Sequence, residues 1–257
     1  MPASSGRGEW SRSVAYSAVF AALVFAATLV SVATPVTRGY FNLGESMVYT
    51  AAIIGGPFVG AVSGAIGSSA ADIVLQYGYY APGTFVIKGL EGFIVGWLFN
   101  RLKGIPAEKW RKWLPGIAVG LGVVLAIVSL TLYVGIYSHS LGGVTVLELW
   151  GREIKFTVPW WVWVLIAVVV SAAVYILGLR GPRLGAALIA MLVGGLEMVI
   201  GYFIYEATVI FSLGYLESSS PLAAAAEIPV NFGQALIGAS IASIIVGAVW
   251  SARGERY

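Results

Sequence analysis

Apolar runs of about 20 residues follow one another along most of this chain, each long enough to cross a hydrocarbon core of roughly 30 Å. The rest of the composition agrees. Apolar residues make up 59% of the 257 and charged residues only 11%, against about 25% charged in an ordinary soluble domain. No soluble-like stretch exceeds the loops, so the expected fold is one all-α integral membrane bundle in a lipid bilayer. The mild balance of 15 Lys+Arg against 12 Asp+Glu reflects orientation in a membrane and not a nucleic-acid partner. There is no cysteine, which excludes disulfides and thiolate metal sites. Met1 to Arg12 is short and polar. The run from Val14 to Ala33 is too long for a signal-peptide core and lacks a clear cleavage site, so it reads as a retained span.

Spans are expected at about 13–34, 45–56, 58–76, 84–101, 114–136, 159–178, 184–206 and 229–250. Met47 to Leu75 is the stretch that needs a decision, because Gly55-Gly56-Pro57 interrupts it. Proline lacks a backbone donor and disfavours helix in the residue before it. Loop charge decides between one long tilted helix and a hairpin of two short ones. With the hairpin, Arg7, Arg12, Arg101, Lys103, Lys109, Arg111, Lys112, Arg180, Arg183, Arg253 and Arg256 share one side and Arg38, Arg152 and Lys155 the other, 11 against 3. A single crossing gives 4 inside against 10 outside. Lys/Arg excess marks the cytoplasmic side, which selects the hairpin, eight spans, a cell-membrane location and both termini cytoplasmic. The glycines at 55, 56, 60, 64 and 67 let the two short helices approach their neighbours closely. Trp160, Trp161 and Trp163 at one span and Trp110 and Trp113 before another read as interfacial anchors.

Charges inside spans are rare and costly, so they are the first candidates for function. Lys88 lies about one turn below the outer end of its span, with Glu91 at i+3, where the two can meet. Glu45 opens the second span, and an acid there also suits the helix dipole. Asp72 lies near the outer end of the third span and Glu206 at that of the seventh, beside Tyr202 and Tyr205. Asn231 and Gln234 open the eighth, three residues apart on one face. Glu197 lies deeper. The hairpin topology, chosen on loop charge alone, places all of these but Glu197 in the outer half, as a cavity for a small solute would require. A helix-to-helix ion network that only fixes packing is the plainer alternative for Lys88, Glu91 and Asp72. His139 stands alone in an external loop with no expected role. No G-x-x-x-x-G-K-[ST], His-Glu-x-x-His or Gly-x-Ser-x-Gly occurs, so neither nucleotide hydrolysis, metal chemistry nor any cofactor is expected. In the first span Ala18, Ala22 and Ala26 recur every four residues as a smooth strip, suited to close packing or to a partner helix.

Read in order, several segments resemble a known family. They are Asn42-Leu43-Gly44-Glu45, Gly56-Pro57-Phe58-Val59-Gly60, Gly67 to Asp72, and Tyr80-Ala81-Pro82-Gly83-Thr84 running on through Lys88 and Glu91 to Gly92. Gly201-Tyr202-Phe203 and Glu227-Ile228-Pro229-Val230-Asn231 with Gln234 follow. Together they resemble the substrate-binding S component of energy-coupling-factor (ECF) vitamin transporters, in the riboflavin-transporter-like branch. The resemblance covers roughly 1–101 and 184–257 and implies a six-helix core. The segment 102–183 departs from it as an inserted helix pair with loops. The family implies capture of a water-soluble vitamin or precursor at the outer end and docking through an Ala-x-x-x-Ala pattern, matched here by Ala18 and Ala22 and extended by Ala26. The partners it implies are a transmembrane coupling subunit and two ABC ATPases.

The expected function is therefore an S subunit and not an enzyme, with riboflavin as first guess and a thiamin precursor such as hydroxymethylpyrimidine as the alternative. Lys88, Asn231 and Gln234 are expected to touch substrate, Tyr202 to stack on its ring, and Glu206 and Asp72, with Glu91, to support Lys88. A self-sufficient transporter coupled to protons through Glu91 or Glu197 is the rival, and a membrane-embedded enzyme a distant third.

Overall fold

The computed structural model describes residues 5–34, 37–138, 144–149, 152–216 and 218–255; His139 lies outside them. Eight α-helices occur among the described residues: α1 Ser5–Thr28, α2 Gly44–Gly55, α3 Pro57–Val74, α4 Ala81–Leu102, α5 Ala107–Ser129, α6 Trp160–Arg180, α7 Pro182–Tyr205 and α8 Ile228–Ala252. Five helical stretches, within α1, α3, α5, α7 and α8 and their extensions, are long and apolar enough to cross a membrane by length and composition. The protein is a multi-pass membrane bundle. The helix starts follow local chemistry, with proline in the first turn of α3, α4, α7 and α8, where its missing N–H costs nothing. Two ends are extended by wider turns: α5 continues as π-helix through Leu130–Ser138, and α7 through Glu206–Ile210.

The expected hairpin forms. Gly56 adopts φ +85°, a conformation that suits glycine, and separates α2 from α3. A Cβ on Gly60 would lie 2.7 Å from Ala52 Cβ, and one on Gly64 would lie 3.3 Å from Val48, so the two helices run back along each other. On its other side α3 is pressed against α4. A Cβ on Gly92 would sit 2.2 Å from the Gly60 carbonyl oxygen, and one on Gly64 2.4 Å from that of Lys88. This seam brings Asp72 of α3 and Lys88 of α4 to the same end of the bundle.

Two expectations need correction. The first span is expected over 13–34, but its helix ends at Thr28 and residues 31–34 form a strand. Leu29 to Val32 is rich in β-branched residues, which fit a pleated strand. The fold is also not purely helical. Strands β1 (Ser31–Thr34) and β2 (Gly39–Asn42) form a hairpin between α1 and α2, and β3 (Thr145–Leu149) and β4 (Arg152–Phe156) form another between α5 and α6. They join into one antiparallel sheet of order β2-β1-β3-β4, with Ala33 opposite Glu148.

The tryptophans divide. Trp160, Trp161 and Trp113 are 50–61% exposed, as interfacial anchors would be, whereas Trp110 and Trp163 are buried. Trp110 donates Nε1–H to the Gly178 carbonyl at 2.9 Å. Trp163 packs on Tyr133 and on Phe232 of α8. These two rings fasten α5 and α6 to the rest of the bundle.

Candidate functional site

The polar residues converge at the end of the bundle that carries the sheet. Lys88 of α4 is 2% exposed and ion-paired to Glu45 of α2 and, at 3.2 Å, to Glu91 one turn along its own helix. The i,i+3 pair expected from spacing therefore forms, and Glu45, which the sequence also explained by the helix dipole, is the second partner. Gln234 of α8 completes the knot: its Nε2 donates to Glu45 at 2.8 Å, and its Oε1 accepts the Asn42 backbone N–H at 2.7 Å. Breaking such a buried pair on one side leaves uncompensated charge, which costs about 3–5 kcal/mol.

Next to this knot lies a cavity of about 30 Å³. It is lined by Asp72, Lys88, Tyr202, Asn231 and Gln234 from four helices, by Tyr40 and Asn42 from β2, and by Tyr80 and Thr84 at the start of α4. Its size is that of a water or so. The β1–β2 segment closes it: the Tyr40 hydroxyl donates to Asp72 Oδ1, the Thr37 hydroxyl donates to Glu227, and the Tyr80 hydroxyl donates to the Thr37 carbonyl at 3.1 Å. Burial first, and the Asp72 carboxylate second, push the Tyr40 phenol up, so it stays a donor. Burial, then Glu206 and Glu227, do the same to Tyr80. Tyr202 donates to Thr84 Oγ1 at 3.0 Å and offers its ring to Lys88, whose Nζ stands 5.3 Å from the ring centroid.

Of the residues expected to support Lys88, Glu91 does so directly and Asp72 faces the same cavity. Glu206 stands elsewhere: it is buried behind Tyr80, whose hydroxyl donates to it at 3.1 Å, and it does not line the cavity. Tyr40 is absent from the sequence-based candidates, and Asn42, Tyr80 and Thr84 enter there only within the segments that carry the family resemblance. Tyr40 and Asn42 reach the cavity because the β1–β2 hairpin folds over the helix ends, which no spacing rule reports. A larger groove of about 480 Å³ between α3 and α4 is lined by Val62, Ile66, Phe85, Phe93 and similar residues with no polar side chain, and so offers nothing to fix a polar solute. No cluster of three or more His, Asp or Glu side chains suited to a metal occurs among the described residues.

The Ala18, Ala22 and Ala26 strip is exposed on α1. The opposite face of the helix packs inward, with Val24 buried and Ser17 accepting from Ser63 of α3 at 3.3 Å. The strip is therefore not used for packing within this chain.

The fold is thus a multi-helix membrane bundle with a polar cavity at one end and an exposed alanine face on α1. Comparison with protein families places it more narrowly: residues 10–151, more than half of the chain, match the family of the ECF-type riboflavin transporter S component, and the chain belongs to that family. The match runs past Arg101 through α5 and β3. A curated relative from Pyrococcus woesei, described as an uncharacterized protein in gap 3'region, is 42% identical over 96 residues, covering 37% of this chain. The chain spans 64% of that relative's length. No solved structure matches.

Proposed function

We propose that this chain is the substrate-capture (S) subunit of an ECF-type ABC importer, binding a water-soluble vitamin or vitamin precursor for ATP-driven uptake. The observation that carries this is the gathering of Lys88, Asp72, Tyr202, Asn231 and Gln234, from four different helices, around one cavity. In this reading Lys88, Asn231 and Gln234 touch the substrate, Tyr202 stacks on its ring, Asp72 and Glu91 set the charge around Lys88, and Glu206 acts at one remove through Tyr80. Riboflavin is the first candidate, with hydroxymethylpyrimidine the alternative. A pocket for a small organic molecule occupies about 300–1,000 Å³, far above the present cavity, so capture requires the β1–β2 segment to swing away and close again over the ligand.

All eight helices serve as spans in this proposal, six forming an S-component core from 1–101 and 184–257 and two forming the 102–183 insert. Both termini are cytoplasmic, and the sheet end faces outward. The exposed Ala18/Ala22/Ala26 face docks a transmembrane coupling subunit that carries two ABC ATPases. Single cysteines at Tyr79 and Glu108 should label from opposite sides of intact cells; labelling from one side contradicts the topology. Vitamin uptake should require co-expressed coupling and ATPase subunits and survive collapse of the proton gradient. Uptake by this chain alone, abolished by that collapse, would instead establish a proton-coupled transporter.

A further inference from the structure

We infer that the β3–β4 hairpin is a latch on the cavity: paired to β1 and rooted on α8, it holds the β1–β2 segment shut and sets how often the cavity opens. The latch acts on the site of the substrate-capture reading and rests on that reading for the need to open. The sheet order β2-β1-β3-β4 puts β1 between two strands. On one edge it carries β2, whose Tyr40 and Asn42 line the cavity. On the other it pairs with β3, Ala33 opposite Glu148. β3 is paired along its whole length to β4, from Thr145 opposite Phe156 to Leu149 opposite Arg152.

This arm has a fixed root. Where β4 leads into α6, the Val158 backbone N–H donates to the Tyr133 hydroxyl at 3.2 Å. Tyr133 is buried against Trp163, and Trp163 meets Phe232 of α8 edge-on, with ring centroids 5.4 Å apart. Phe232 follows Asn231, which lines the cavity. The π-helical end of α5 also packs on the 3-10 helix Pro221–Glu227, whose Glu227 takes the Thr37 hydroxyl. The hairpin thus ties the segment that covers the cavity to a helix that forms its wall.

Two kinds of bond hold the covering segment down. On the cavity side, the Tyr40 hydroxyl donates to Asp72, and the Asn42 backbone N–H to Gln234 at 2.7 Å. A solute placed against Asp72 and Gln234 competes for those same groups, and its own contacts offset their loss. The β1–β3 pairing is of the other kind, since no residue of β1, β3 or β4 lines the cavity. No solute replaces it, so it is lost outright when the segment lifts from β3. At the usual net worth of a ladder hydrogen bond, one or two such bonds change opening about tenfold.

The test needs no ligand and uses the full-length chain in detergent. The chain has no cysteine, so Ser68→Cys, at a buried position on the cavity lining, is the sole thiol. Its rate of modification by a charged methanethiosulfonate reports opening. Glu148→Pro breaks the ladder at β3 and should raise that rate about tenfold. Glu148→Ala keeps the backbone donor and should leave it within about twofold. Should the proline variant unfold, a second chain decides, with Ala33→Cys and Glu148→Cys alone. Opposed residues of antiparallel strands stand about 4.5–5.5 Å apart at Cα, within disulfide reach. Oxidation should slow hydrogen exchange at the Asn42 amide about tenfold, and reduction should restore it. Equal Ser68→Cys rates with and without Glu148→Pro overturn the latch and leave the substrate-capture reading intact. So does a disulfide that fails to form, or one that forms without slowing Asn42. A Ser68→Cys thiol that stays unmodified in every variant means that the segment does not open, and overturns both.

Discussion

The α3–α4 seam and the α5–α6 pair are both made of apolar helices rich in glycine, yet they are held together differently. At the seam, backbone meets backbone: a Cβ on Gly60 would stand 2.6 Å from the Gly92 carbonyl oxygen, and one on Gly96 2.5 Å from the Pro57 nitrogen. In the α5–α6 pair the tightest approaches are to side chains, Ser171 Oγ at Gly122 and Leu114 at Gly178, with the Ala167 carbonyl oxygen next at 3.1 Å from a Cβ on Gly122, while Gly116 and Gly120 have nothing within 4 Å. A side chain can turn aside and a backbone cannot. The seam positions Asp72 and Lys88 at the cavity, and of these two pairs it is α5–α6 that has slack. The tighter of the two helix pairs is the one that carries Asp72 and Lys88.

Substitutions can break this contrast, and the largest effect is expected at Lys88. Lys88→Met keeps most of the apolar stem but strands Glu45 and Glu91, and should lower stability by about 3–5 kcal/mol, read as thermal unfolding in detergent. Stability close to wild type would mean that the ion knot is not held as described. At the seam, Gly92→Ala should cost about 1–3 kcal/mol or more through overpacking. In α5, Gly120→Ala should have the opposite sign, a gain of up to about 1 kcal/mol from helix propensity. Equal responses at the two glycines would erase the distinction. The smallest effect on the isolated chain is expected on α1. Ala22 is exposed, so Ala22→Trp should leave stability and ligand binding within about 0.5 kcal/mol of wild type while abolishing co-purification with the coupling subunit. Retained co-purification would remove the alanine face from the docking proposal.

The same contrast explains what could be read in advance. The α2–α3 break was legible because Gly55-Gly56-Pro57 is a local signal and loop charge supplied the parity. Lys88 with Glu91, and Asn231 with Gln234, were legible because three-residue spacing on a helix fixes a face. The sheet was not: Val30 to Thr34 reads as the continuation of an apolar span, and only pairing with Gly39–Asn42 makes it a strand. The β1–β3 junction links segments more than a hundred residues apart, through Ala33 opposite Glu148 among the described residues, with no pattern to announce it. Glu45 and Lys88 are 43 residues apart, and their meeting follows from the hairpin and the seam together. Glu206 was placed at the right end of the bundle but beside the wrong neighbour, since depth along a helix does not say which way a side chain turns. Trp110 and Trp163 sit where anchors belong and are buried instead, because α5 and α6 pack on the bundle through them.

The central claim is that a small solute is captured in the cavity lined by Lys88, Asn231 and Gln234. Native mass spectrometry of the purified chain, beside Asn231→Ala and Gln234→Ala, tests it most directly. Removing either amide leaves a ligand group buried without its partner, at about 1–3 kcal/mol, or roughly five- to 150-fold in affinity. The account predicts one bound ring-bearing small molecule on the wild-type chain and its depletion from both variants at matched concentration. Wild-type occupancy in both variants would contradict it and place the binding site elsewhere in the bundle.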